Sequence, residues 1–233
     1  MTIDVLTKIT SRGYWKVVMQ PPVFKPDRIV GLLDCEKLIA SCQVSLRGWD
    51  YPHYETMQSG LDHIWSQTDW EDYKEFWRFY QSGQFVHYFG CHEDWWIESG
   101  LSTPELRQHR PGEALEVIST LFQLTEVYEF ASRLAQRGIF DEQATIVIEL
   151  HGMQGRKLIA LRRILFPFSY TCAEKDLPFE KQFSKEELIA KTSELALEHA
   201  LWLFERFNWR HVRSADVVAN LREQQKKLLE RRL

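Results

Sequence analysis

From residue 12 the chain alternates apolar and polar positions, "RGYWKVVMQP", and then meets Pro21 and Pro22. A period of two closed by proline predicts a strand over residues 12–20. Three-four spacing follows at Ile29, Leu32, Leu33, Cys35 and Leu38, which predicts a helix within 26–42, N-capped by Asp27. "QVSLRG" (43–48) alternates again and predicts a second strand, with Gly48 letting the backbone turn into "WDYPH". Residues 61–69 predict a third strand. "EFWRFYQSGQFVHYFG" (75–90) predicts a hairpin with Ser82-Gly83 as a two-residue turn. In that register Arg78 opposes His87 and Trp77 opposes Tyr88. Trp77, Phe79, Val86 and Tyr88 then share one face, and Phe76, Arg78, Tyr80, Phe85, His87 and Phe89 the other. A hairpin with two aromatic faces is either covered on both or offers one to a ligand.

The apolar stripe Val117, Leu121, Leu124, Tyr128, Ala131 and Ala135 predicts a helix over 111–137, stopped by Gly138, with Glu116, Gln123, Glu126, Arg133 and Arg137 on its polar side. "ATIVIELHG" and "RKLIAL" predict a hairpin of 144–151 with 156–162 across "GMQG". Residues 166–183 hold two prolines and predict irregular chain. A capping box, Ser184 and Glu187, opens a nearly all-apolar helix over 184–209, and Ser214 opens a last helix to 233. The expected fold is α+β: a largely antiparallel, aromatic-rich sheet packed with helices, followed by a helical C-terminal part. The mixed body would occupy 1–166 and the C-terminal helices 184–233, packed together as one domain.

Composition sharpens this picture in two ways. Nine tryptophans in 233 residues leave more aromatic surface than a core needs, and some of it is available to a partner. A net charge of −4 and a pI near 6.1 exclude a general polyanion binder. No apolar run reaches the roughly 18 residues that span a bilayer, and "MTIDVLTKIT" has no secretory h-region, so no membrane association is expected. Cys35, Cys42, Cys91 and Cys172 form no CxxC pair, which suits buried thiols in a reducing cytoplasm.

Charge is uneven along the chain. Between residues 50 and 75 the acids Asp50, Glu55, Asp62, Asp69, Glu71, Asp72 and Glu75 face a single base, Lys74. From residue 206 onward eight Lys/Arg stand against three Asp/Glu, and Arg222, Lys226 and Lys227 sit on the last helix. Such a helix grips phosphate or an acidic protein groove, or is simply a solvated helix with cations near its C-terminal dipole.

The richest local chemistry is "SLRGWDYPH" (45–53). Arg47, Asp50 and His53, joined by Arg78 and His87, would suit a phosphate or carboxylate, with Trp49 stacking on a base. The competing reading is a structural Arg47–Asp50 ion pair pinning a Gly-Trp corner, with Arg78 and His87 an ordinary cross-strand pair. His92, Glu93 and Asp94 offer metal-ligand atoms, but no tight ligand signature occurs, so neither a metal nor a cofactor is expected. No nucleophile elbow, Walker loop or dinucleotide loop is present.

At "RGYWKVVMQP", "SLRGWDYPH", "TDWEDYKEFWRFYQSGQFVHYF" and "IVIELHG" the chain resembles a family of uncharacterised bacterial proteins over most of its length. The resemblance implies a bacterial, cytoplasmic origin and attaches no activity to any residue. The functional expectation is a non-enzymatic interaction or regulatory module for a protein or nucleic-acid partner. Its alternative is a phosphate-substrate hydrolase around Arg47, Asp50, His53, Arg78 and His87.

Overall fold

The computed structural model describes residues 4–100, 103, 104, 106–161 and 169–232. Among them the elements run α1 (Val5–Thr10), β1 (Tyr14–Gln20), α2 (Leu32–Cys42), β2 (Gln58–Ser59), β3 (His63–Trp70), β4 (Tyr73–Tyr80), β5 (Phe85–Gly90), β6 (Ala114–Glu116), α3 (Val117–Gln136), β7 (Gln143–His151), β8 (Lys157–Ile159), β9 (Asp176–Ser184), α4 (Lys185–Ala190), α5 (Thr192–Glu205) and α6 (Ala215–Leu229). The fold is α+β. A seven-stranded antiparallel sheet has the order β2-β3-β4-β5-β1-β7-β9, and β6 pairs in parallel with β8.

Alternation decides which side chains reach the core. Trp15, Val17 and Met19 of β1 and Ile146, Ile148 and Leu150 of β7 point to one face, where α2, α3 and α5 complete a single large cluster. The opposite face is covered over Phe76, Tyr88, Tyr14 and Trp65 by α1, through Val5 and Ile9. The central hairpin is therefore covered on both faces, and this accounts for its aromatic content.

The hairpin register differs from the expected one by a single residue. Phe79 pairs with Phe85, Arg78 with Val86 and Trp77 with His87. The loop is Gln81-Ser82-Gly83, three residues rather than two, with Gly83 at φ +84° and its N–H bonded to the Tyr80 carbonyl. A slip of one exchanges the faces of a whole strand. Phe85, His87 and Phe89 thus join Trp77 and Phe79 in the core, while Val86 and Tyr88 move to the face of Arg78.

Other expectations are corrected too. Residues 43–48 form no strand; Val44 makes one bridge to Tyr51 and the rest is a corner. The helix after Pro26 starts at Leu32, with Gly31 as N-cap in place of Asp27. Helix α3 starts at Val117 because Ala114–Glu116 are claimed by β6, and Glu116 caps it by accepting the Ser119 N–H. The strands at 144–151 and 157–159 are not partners: β7 lies between β1 and β9, and β8 pairs with β6. Part of the stretch read as irregular is β9, whose Pro178 is accommodated because β9 is an edge strand. Residues 162–168, where the expected strand end and domain boundary fell, lie outside the described residues. The long C-terminal helix breaks at Lys191 into α4 and α5.

The last helix packs on its own chain. Leu221 and Leu228 are fully buried in the main cluster, and Gln225 donates to Thr125 Oγ1 and the Ser193 carbonyl, both at 3.0 Å. Removing residues 214–233 would therefore strip cover from α3.

Candidate functional site: an aromatic corner

Residues 43–54 leave α2, turn at Gly48 (φ +82°), and return over the sheet. The turn is strapped by polar ties at both ends. Val44 and Tyr51 exchange backbone hydrogen bonds of 2.8 Å. Gln43 Nε2 donates to the Pro52 carbonyl at 3.0 Å, after a cis Tyr51–Pro52 bond. Trp77 Nε1 donates to the His53 carbonyl at 2.7 Å.

Arg47 crosses from the turn to α3. Its Nε and Nη2 donate to the two carboxylate oxygens of Glu126 at 2.9 and 2.7 Å, and Nη2 also reaches Gln123 Oε1 at 3.0 Å. This is the bidentate fork that arginine forms best. Burial opposes the guanidinium charge, but Glu126 outweighs it and holds the Arg47 pKa above its ordinary value. The cation is spent inside the protein.

Trp49 lies between two rings, His53 at 3.8 Å and Tyr73 at 4.0 Å. Trp70 runs alongside, 5.6 Å from Trp49 with planes 6° apart. The indole N–H of Trp49 donates to Glu75 Oε1 at 2.6 Å, and Glu75 Oε2 lies 3.1 Å from His87 Nε2. Both Glu75 and His87 are buried. Burial works against the Glu75 charge, yet the His87 contact and the Trp49 N–H hold its carboxyl below the usual carboxylate range. At the outer end, His92 meets Tyr73 edge-on at 4.5 Å and stands 3.6 Å from Asp72. Burial raises the Tyr51 hydroxyl well above its ordinary value, and beside Glu75 and Glu126 it stays protonated.

The cavity next to this cluster, lined by Trp15, Phe89, His92, Glu93 and Gln123 among others, holds about 10 Å³. That is space for about one water; Glu75 and His87 do not line it and are themselves buried. The arrangement holds its own rings in a stack, with the buried Glu75 carboxylate between the Trp49 indole and His87.

The structure brings together Arg47, Trp49, His53 and His87, on one side of the sheet. Asp50 accepts from Ser45, not from Arg47 as expected, because Arg47 is taken by Glu126. Arg78 stands on the opposite face, exposed, with its guanidinium 5.1 Å over the Phe76 ring. The phosphate site of two arginines is therefore not assembled. Arg222 and Lys226 are exposed on α6, and Lys227 pairs loosely with Glu223 at 3.9 Å. The "HED" residues disperse: Glu93 accepts the Glu116 N–H, and Asp94 forms a buried pair with Arg156. Among the described residues no group of three or more His, Cys, Asp or Glu is arranged to hold a metal. The four thiols are free and buried, with pKa values raised by burial, Cys35 to about 11.

Tyr73, Glu75, Gln123 and Glu126 belong to the corner but were not singled out in the sequence. Gln123 and Glu126 lie on the side of α3 expected to face solvent, and both are buried against the corner. No local pattern marks a carboxylate whose partner is 79 residues away. The alternation of β4 does carry a signal for Glu75, an acid in step with Trp77 and Phe79. No helix among the described residues is long and apolar enough to cross a membrane. Comparison with protein-family models, with curated proteins and with solved structures finds no match to this chain.

Proposed function

We propose that this protein is a non-enzymatic interaction module that docks a protein partner through the aromatic corner of Trp49, Trp70, Tyr73 and His53. One observation carries the reading. The Arg47 guanidinium and the Glu75 carboxylate are both engaged within the protein, while Trp70, the one exposed tryptophan among the described residues, stays 46% exposed. Aromatic anchors on a rigid base, with little entropy left to lose, are what interface hot spots are made of. The surrounding chain is acidic, with Asp50, Glu55, Asp62, Glu71 and Asp72 in the same stretch, so it repels phosphate and favours a protein over a nucleic acid.

The test is affinity capture from native cells with three baits: the natural chain, Trp70→Ala, and the triple variant Arg222→Ala/Lys226→Ala/Lys227→Ala. The expected result is a protein that survives nuclease, is lost with Trp70→Ala and is kept by the triple variant. Recovery that vanishes with nuclease, or that ignores Trp70 and follows the tail, overturns the reading.

A further inference from the structure

The corner's chemistry also indicates what it takes hold of. We infer that the exposed surface of Trp70 receives an arginine side chain from the partner, its guanidinium lying against the indole with the neighbouring carboxylates beside it. This rests on the protein-docking reading above.

The protein's own packing supplies the precedent. Arg12 lies over the Trp95 ring at 4.0 Å, with Lys8 and Lys74 also within 5.5 Å of that ring. Arg206 lies over Trp202 at 4.5 Å. Two indoles of this fold, the buried Trp95 and the half-buried Trp202, each carry a cation from the same chain. Trp70 is the most exposed tryptophan and, among the described residues, has no such cation over it. A ring face attracts a cation through its quadrupole, and a planar guanidinium adds stacking contact that an ammonium lacks.

Charge points the same way. Trp70 lies between Asp69 and Glu71 in the chain, and Asp50 adjoins Trp49. Asp69 is committed to Lys8 and Lys74. Glu71 gives one oxygen to the Gly100 N–H, and Asp50 one to Ser45. Glu71 and Asp50 each keep an oxygen without a hydrogen-bond donor among the described residues. The stacked base of Trp49, Tyr73 and His53 holds the platform flat before the ligand arrives, so binding orders little.

The experiment follows the nine indole N–H signals of ¹⁵N-labelled full-length protein, with Trp70 assigned from Trp70→Phe. The probes are capped Gly-Arg-Gly and its neutral isostere Gly-citrulline-Gly. The expected result is a saturable shift at Trp70 with the arginine peptide, and affinity about two- to fivefold weaker for citrulline. Asp50→Asn/Glu71→Gln should weaken the arginine peptide and leave citrulline unchanged. Equal responses to both peptides, or a response confined to other indoles, overturns the inference. If the captured partner still depends on Trp70 in that case, the docking reading stands and only its arginine is lost. If neither depends on Trp70, both fall.

Discussion

At the scale of the residue, Glu75 is the linchpin of the corner. It is a buried carboxylate shared between the Trp49 indole and His87. Its pKa is lowered in the folded protein, so it contributes stability that is fully present above the unfolded value of 4.5 and is lost as pH falls through the folded value. Glu75→Gln keeps the shape and removes the charge. We expect it to cost about 1–3 kcal/mol near neutral pH and to flatten the acid limb below pH 4.5. Urea unfolding from pH 3 to 7 measures both. A variant as stable as the natural chain at pH 7 would show that the Glu75 contacts contribute nothing.

At the scale of the element, the three-residue loop of the β4–β5 hairpin sets which strand face is buried. Gly83 adopts φ +84°, and a Cβ there would lie 2.8 Å from Arg28 Cδ. Two penalties therefore coincide, a left-handed backbone and a close approach to an arginine locked onto Asp141. Gly83→Ala should destabilise by more than about 1 kcal/mol, whereas the same change at Gly60, which has no positive φ, should cost less once the His63 ring gives way. Thermal unfolding of the pair decides it, and equal losses would mean that the loop tolerates other conformations. The residue at stake is His87: one step of register would carry it away from Glu75.

At the scale of the molecule, body and C-terminal helices share one apolar cluster, from Trp15 to Leu228. A single core predicts a single transition. Leu228→Ala removes a fully buried side chain of α6 and should cost about 2–5 kcal/mol. It should shift the unfolding midpoint equally by far-ultraviolet dichroism, which reports helices, and by the tryptophan emission of a Trp202→Phe/Trp209→Phe background, whose remaining seven indoles report the body. Separate midpoints would show that the helices after residue 184 fold apart from the body.

Much of this was legible in the chain itself. Period-two alternation marks β1, β4, β5 and β7, and three-four spacing marks α2 and α3, because each local pattern is a direct consequence of one buried face, while the caps Ser184 and Ser214 mark the starts of α4 and α6. The turn at Gly48 was legible from the glycine itself, which takes φ +82° there. Tertiary structure alone decided the rest. The hairpin register turned on whether Ser82-Gly83 or Gln81-Ser82-Gly83 makes the reversal, a difference of one residue that local propensity does not resolve. The pairing of β7 with β1 and β9, and of β8 with β6, joins segments far apart in sequence, where chain spacing carries no information about adjacency. The fate of each arginine was decided in the same way. Arg47 found Glu126 across the fold and Arg78 fell on the opposite sheet face, so charges that look alike in sequence became one internal brace and one surface cation.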